Sequence, residues 1–395
     1  MPAAHAHSRS PGSPPPRTGR RGGAIGVGLA AVAVLGVGVG VAAFALRAPG
    51  SRAVASPPST AAGAVAAATD PGPLSVVSVT PADGTTQIPS DATLSVRLSA
   101  PISPHSPTPS LSPAVAGSWQ VVTPDTFTFV ASAPLVPLAT ETISIPGGEG
   151  GLVSVAGRKL DRPSSVRFTV ADGSTLRLQQ LLAQLGYLPV SFTPAGPLAA
   201  SQEAAQAQEG SFSWRWSEPA SLEGQWTVGS ANQITKGAVM AFESQHNMKT
   251  DGQAGPTVWE QLLADAAAGT MDPAPYNYVY VSKAIPETAT VYSNGAEVYS
   301  TRANTGVAAA PTDSGTFPVY VRYQVTTMSG TNPDGSKYSD PGIPWVSYFN
   351  GGDALHGFVR SSYGTPQSVG CVEMPPANAA VVYPLTPIGT LVTVS

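Results

Sequence analysis

A single cysteine, Cys371, is all that 395 residues offer. With one thiol the chain can form no internal disulfide and no cysteine-based metal site. Five histidines, at positions 5, 7, 105, 246 and 356, are too scattered for a zinc cluster. No metal site is therefore expected, and no organic cofactor is expected either. Charge is also scarce: 11% of residues, with 20 Lys and Arg against 24 Asp and Glu, for a net charge of −4. A nucleic-acid partner needs clustered Lys and Arg and is not expected. Long helices should be few, because 41 glycines and 40 prolines favour turns and short strands. Full disorder is excluded by a hydrophobic content of 42% and by Trp and Tyr recurring from Trp119 onward.

The N-terminal 73 residues hold no chemistry but bear on location. Residues 1–23 carry Arg9, Arg17, Arg20 and Arg21 and no acid, which fits a cytoplasmic tail. Residues 24–46 (AIGVGLAAVAVLGVGVGVAAFAL) run uncharged for 23 residues, the length of one bilayer crossing. A transmembrane segment or signal anchor is expected there, with the rest of the chain outside the cytoplasm. The small-x-small run Ala53, Val54, Ala55 leaves cleavage and secretion to the cell wall open. Residues 47–73, rich in Pro, Ala, Ser and Gly, read as an extended linker.

Three units follow in a mostly β multidomain chain. In 74–172, alternating segments recur at 75–79, 93–98, 126–131, 141–145 and 166–170 between turn signals, the pattern of a small antiparallel sandwich. In 173–273, Leu178, Leu181, Leu182 and Leu185 share one helical face that Gly186 should end. Two further amphipathic helices bury Ala238, Met240, Ala241 and Phe242, then Val258, Trp259, Leu262 and Leu263, with Pro256 at the start of the second. Between the first two helices, the stretch 187–233 holds Trp214, Trp216 and Trp226, which either stack on sugars or pack among themselves, the commoner case. In 274–395, strand-like runs lie at 277–283, 288–293, 297–304, 317–328 and 389–394, with a short helix over 376–382.

Chemistry concentrates between residues 350 and 375. His356 and Cys371 stand fifteen positions apart in one Gly-rich segment. A thiol attacks as its thiolate, and an imidazole beside it can take the proton near neutral pH. Gly370 lets backbone approach a substrate carbonyl, and successive N–H groups in such a turn can hold an oxyanion. By pattern alone the cysteine is equally readable as a buried, inert thiol.

Longer runs add resemblances. The opening SVTPADGTTQIPSDATLSVRLSAPIS and closing GRKLDRPSSVRFTVADG of the first unit resemble bacterial immunoglobulin-like domains. LQQLLAQLGYLP followed by AVMAFESQHNMKTDGQAGPTVWEQL resembles the three-helix peptidoglycan-binding domain, with 187–233 as an insertion. TDSGTFP, IPWVSYFNGGDALHGF and SVGCVEM, in that order, resemble the L,D-transpeptidase catalytic domain of YkuD type. That last resemblance implies Cys371 as nucleophile, His356 as proton donor and acceptor, and Gly357 as the residue whose carbonyl orients the imidazole. Val369, Gly370 and Cys371 would supply the oxyanion-hole N–H groups. Val369 stands where a second histidine is usual, and Glu373 where Arg or Asn is frequent; Glu373 is expected to be a solvated carboxylate. Arg322, Arg360, Tyr338, Trp345 and Tyr348 are further candidates to line the groove.

The implied reaction is 3→3 cross-linking of peptidoglycan stem peptides through a thioester, with stem peptide and glycan as partners and the membrane as anchor. Water as acceptor would make the chain an L,D-carboxypeptidase instead. Loss of catalytic power at Val369 would leave a peptidoglycan-binding protein. Papain-like and NlpC-type peptidases place the cysteine before the histidine. Sortases add a downstream arginine, and none follows Cys371.

Overall fold

An apolar–polar alternation broken at Val76–Val77 opens the folded region. A computed structural model describes residues 72–198 and 201–395. The expected tail 1–23, the apolar run 24–46 and nearly all of the linker lie outside the described residues. Among the described residues no helix is long and apolar enough to cross a membrane.

The first unit comprises β1 (Val76–Thr80), β2 (Thr85–Ile88), β3 (Leu94–Leu98), β4 (Ser110–Ser112), β5 (Gly117–Thr123), β6 (Thr126–Ala131), β7 (Thr140–Ile145) and β8 (Ser164–Val170). Two four-stranded sheets form, ordered β1-β3-β6-β5 and β2-β8-β7-β4. Successive side chains in a strand face opposite ways, so Leu94, Val96 and Leu98 all enter the core, where Phe127, Phe129, Ile143 and Phe168 meet them. Burying each such side chain is worth about 1.5–3 kcal/mol. Five of these strands stand where alternation places them. β2, β4 and β5 lack the signal because none of their residues is fully buried. Trp119 on β5 nevertheless packs 5.4 Å from Phe129. The sandwich is not antiparallel throughout: after the turn at Pro81–Gly84 the chain changes sheets, and β2 runs parallel to β8.

The second unit contains α1 (Thr175–Gln184), β9 (Val190–Pro194), β10 (Gly210–Trp214), α2 (Ala220–Glu223), α3 (Gln233–Gln245) and α4 (Pro256–Ala268). The Ser174 hydroxyl accepts from the Arg177 N–H at 3.1 Å and starts α1; Gly186, at φ +89°, ends the turn after it. Three helices do share one core, built from Leu181, Leu182, Ile234, Phe242, Trp259 and Leu262. The unit is not purely helical, however. The expected insertion is an antiparallel β9–β10 hairpin plus α2, and it joins the same core. Phe212 lies 5.2 Å from Phe192 and 5.4 Å from Trp226. Trp214 and Trp226 are half-buried against the helices, and Trp216 carries the Arg215 guanidinium over its ring at 4.2 Å.

The third unit adds β11 (Asn277–Ser282), β12 (Thr288–Ser293), β13 (Ala296–Arg302), β14 (Gly315–Pro318), β15 (Val321–Thr331), β16 (Lys337–Asn350), β17 (Asp353–Gly357), β18 (Val372–Met374), α5 (Pro376–Val382) and β19 (Leu391–Val394). One sheet is ordered β13-β12-β11-β19-β14 and the other β15-β16-β17-β18. Val279, Val291, Val372, Met374 and Val392 form the core between them, and α5 packs on β16 and β17. The run 317–328, expected as one strand, is two. Pro318 supplies no N–H, and the chain leaves β14 there to enter the other sheet as β15. β16 is hidden in sequence by Pro341, Gly342 and Pro344, which a register shift opposite Thr326–Met328 accommodates.

Residues 73–395 form one compact unit. α3 lies against β14 and β19, where Gly237 and Gly389 bring the two backbones together. Tyr278 and Leu391 of the third unit complete the helical core.

Candidate active site

Two short buried strands create the site. β17 carries His356 and β18 begins one residue after Cys371. They pair in parallel, with Leu355 opposite Val372 and His356 opposite Glu373. This register brings the histidine beside the cysteine turn although fifteen residues separate them. The connecting loop is tied from within: the Tyr363 hydroxyl donates to Phe358 O at 2.6 Å and accepts from the Arg360 N–H at 3.0 Å. Its far end is held by the Val307 N–H donating to Ser368 O at 3.0 Å.

The turn at Cys371 requires glycine. Gly370 has φ +113°, and a Cβ there would lie 2.5 Å from Asp353 Oδ1. Ser368 Oγ locks the turn by donating to Cys371 O at 2.5 Å and accepting from the Gly370 N–H at 3.3 Å. Of the three N–H groups expected in an oxyanion cradle, Gly370's is thus directed to Ser368.

His356 is buried, with Nδ1 3.1 Å from Gly357 O. A carbonyl only accepts, so Nδ1 carries the proton and Nε2 keeps its lone pair. Burial holds the imidazole below its ordinary pKa; the Gly357 carbonyl and Glu373 pull it upward, and Arg360 pulls it down. The ring is therefore neutral at pH 7, the form a base needs. At rest the Cys371 thiol donates to Gly352 O at 3.7 Å. Burial, against the opposing Ala354 N–H and with Asp353 and Glu373 adding to it, pushes its pKa up to about 12. Both groups are therefore uncharged at neutral pH, the thiol protonated and the imidazole neutral.

Cys371 and His356 line one cavity of about 270 Å³. Val369, Glu373, Arg360 and Phe358 lie on the same wall segments, and Met328, Tyr338, Asp340 and Ile343 come from the β15–β16 hairpin. Of the groove candidates read from sequence, Tyr338 and Arg360 are there. Tyr348 packs in the small cluster behind Cys371. Arg322 stacks on Tyr383 at 4.0 Å, and Trp345 packs 5.6 Å from that ring, so both serve the core instead. Glu373 is not a solvated carboxylate: it is 5% exposed and accepts two bonds from Arg360, each 2.8 Å. Asp353 and Asp340 were not legible as site residues, because only the strand pairing places them there.

With this geometry in view, the comparisons are specific for two parts of the chain. Residues 276–394 match the L,D-transpeptidase catalytic domain (YkuD), and residues 70–170 match the bacterial Ig-like domain. Nothing among curated proteins matches the chain. Solved structures similar to it include an L,D-transpeptidase from Mycobacterium smegmatis, 14% identical, covering 82% of this chain and 100% of that one, with a TM-score of 0.28. L,D-transpeptidase 3 from Mycobacterium tuberculosis, solved with a faropenem-derived adduct, is 14% identical over 81% of this chain and 97% of that one, again with a TM-score of 0.28. The catalytic domain of an Enterococcus faecium L,D-transpeptidase is 25% identical over 30% of this chain and 96% of that one, at the same TM-score of 0.28. Likenesses with scores this low carry no argument about activity; the domain match over 276–394 does. The C-terminal third is therefore an L,D-transpeptidase-type catalytic domain, joined to an Ig-like domain in a mostly β chain.

Proposed function

We propose that the chain cross-links peptidoglycan stem peptides by two-step acyl transfer through a thioester on Cys371. The observation that carries this reading is one cavity lined by both Cys371 and a neutral His356 whose Nδ1 is already committed to Gly357 O. His356 Nε2 takes the thiol proton as Sγ attacks the carbonyl carbon of the third stem residue, a diamino acid. The N–H groups of Val369 and Cys371 hold the oxyanion, the bond to D-Ala breaks, and the leaving amine takes the proton from His356. The side-chain amine of a second stem's third residue then attacks the thioester and gives its proton to His356. The C–S bond breaks, Cys371 regains a proton, and a 3→3 link results. All atoms come from the two stems and the chain.

The remaining parts fit a role at the cell envelope. The helical unit, by its sequence pattern, holds peptidoglycan near the catalytic cavity. The apolar run 24–46 anchors the chain in the membrane, or is cleaved to release it to the wall. Product analysis tests the reaction: the full chain, incubated with a disaccharide-tetrapeptide, yields cross-linked dimer and free D-Ala. Tripeptide without dimer would make it a carboxypeptidase, and no turnover with retained wall affinity would make it a binding protein.

A further inference from the structure

Glu373 poses an electrostatic problem for any chemistry at Cys371. It is two residues away, buried, and opposite His356 across the β17–β18 pair. An uncompensated carboxylate there opposes a thiolate and costs heavily in its own right. The compensation comes from the loop between the two catalytic residues. Arg360 Nε donates to Glu373 Oε2 and Nη2 to Oε1, both at 2.8 Å, a two-pronged bond that fixes the guanidinium plane. Nη2 also donates to Gln367 O at 3.3 Å, and the guanidinium lies 4.6 Å above the Phe358 ring. Arg360 thus touches both ends of the loop that begins after His356 and ends at Cys371. Glu373 is itself fastened to the segment that follows β13, its backbone exchanging two bonds with Asn304 at 2.8 and 2.9 Å.

We propose that Arg360 is a positioning residue for the acyl transfer: it cancels the charge of Glu373 beside the thiol and, through Glu373 and Gln367, holds the loop so that Cys371 stays in register with His356. This deepens the cysteine acyltransferase reading and rests on it, but its first test needs no acyl substrate. The thiol feels Asp353 of β17, Glu373 of β18, Tyr338 and Tyr348 of β16, and Tyr320, which precedes β15. His356 feels Glu373, Arg360 and Asp340. Among these groups Arg360 is the sole cation, so removing it changes the balance of charge around both reacting atoms in one direction.

The experiment is alkylation of Cys371, the chain's one thiol, by iodoacetamide in the full-length protein, followed by intact mass. At about pH 8, Arg360→Gln is expected to slow alkylation about tenfold, the effect of one pKa unit on the thiolate fraction. Arg360→Lys keeps the charge and is expected to restore most of the rate. Glu373→Gln is expected to react at least as fast as the natural chain. In Arg360→Gln/Glu373→Gln the rate returns to that of Glu373→Gln. A natural rate in Arg360→Gln, or an equal loss when position 373 is already Gln, would overturn the proposal. If Arg360→Gln alone does not fold, the double variant carries the test, since it leaves no unpaired buried charge. Its rate should match or exceed the natural one, and a slower rate would overturn the inference. Should these rates behave as stated while no cross-linked product forms, the transpeptidase reading fails and the charge pairing stands.

Discussion

At the residue scale, the difference between Cys371 and His356 is one of resting charge. The thiol is held protonated and the imidazole neutral, so in the proposed reaction the imidazole receives the thiol's proton during attack. Two outcomes follow. His356→Ala should lower the rate of acyl transfer by about 100- to 10,000-fold, the usual contribution of a positioned base, with the fold unchanged by circular dichroism. The acylation rate should also rise with pH through a midpoint below the ordinary histidine value, because only neutral His356 accepts a proton. A midpoint above that value would contradict the assignment. Cys371 and His356 stand out in the sequence because the chain has so few residues of either type. The Arg360–Glu373 pair does not, since thirteen positions separate the partners and no periodicity links them. Gly370 could be picked out as a close-approach glycine, but not the carboxylate of Asp353 that it must clear.

At the element scale, strands with one buried face were legible, and so were β19, buried throughout, and the largely exposed β13; β2, β4, β5 and β17 were not. β3, β6 and β12 alternate; β17, with every residue buried, and β5, with almost none, give no alternation to read. β17 is the strand that carries His356, so the candidate site was legible in its residues and not in the strand that positions one of them. Helix ends were the reverse where Pro256 and Gly186 act locally; the Ser174 cap came only with the structure. The seam between α3 and the catalytic sheet depends on two glycines. A Cβ on Gly237 would lie 2.5 Å from Gly389 O, and Gly389 itself has φ +89°. Gly237→Ala should therefore cost about 1–3 kcal/mol, the usual cost of overpacking a close contact, seen as a lower melting temperature by calorimetry. An unchanged transition would show that the seam tolerates separation.

At the scale of the whole molecule, three buried carboxyl groups set the pH dependence of stability. Burial, reinforced by Glu260, raises Glu141 to about 7; burial and Glu223 do the same for Glu218. Burial also raises Glu243 to about 7, against the opposing N–H bond from Gly252. Glu141 Oε2 and both oxygens of Glu218 have no hydrogen-bond partner among the described residues, in keeping with burial as the main cause. A carboxyl whose folded pKa lies above its unfolded value of 4.5 adds stability that is complete below that value and is lost as pH rises through about 7. His356 works in the opposite direction, losing stability as pH falls below 6.5, but it is one group against three. Melting should accordingly come several degrees higher at about pH 5 than at about pH 8. A flat or reversed profile would show that other groups outweigh these three carboxyls. The Ig-like and catalytic domains were legible from their sequence runs; their docking was not, because it rests on contacts between residues far apart in sequence.

The central claim is a covalent acyl-enzyme at one atom, Cys371 Sγ, and intact-mass spectrometry reads it directly. The full chain would be incubated with a disaccharide-tetrapeptide and, separately, with a carbapenem as an acyl trap. The account predicts a mass gain of one acyl group that maps to Cys371, vanishes in Cys371→Ala and falls sharply in His356→Ala. A folded protein that gains no mass with either compound, or gains it equally in Cys371→Ala, would contradict it.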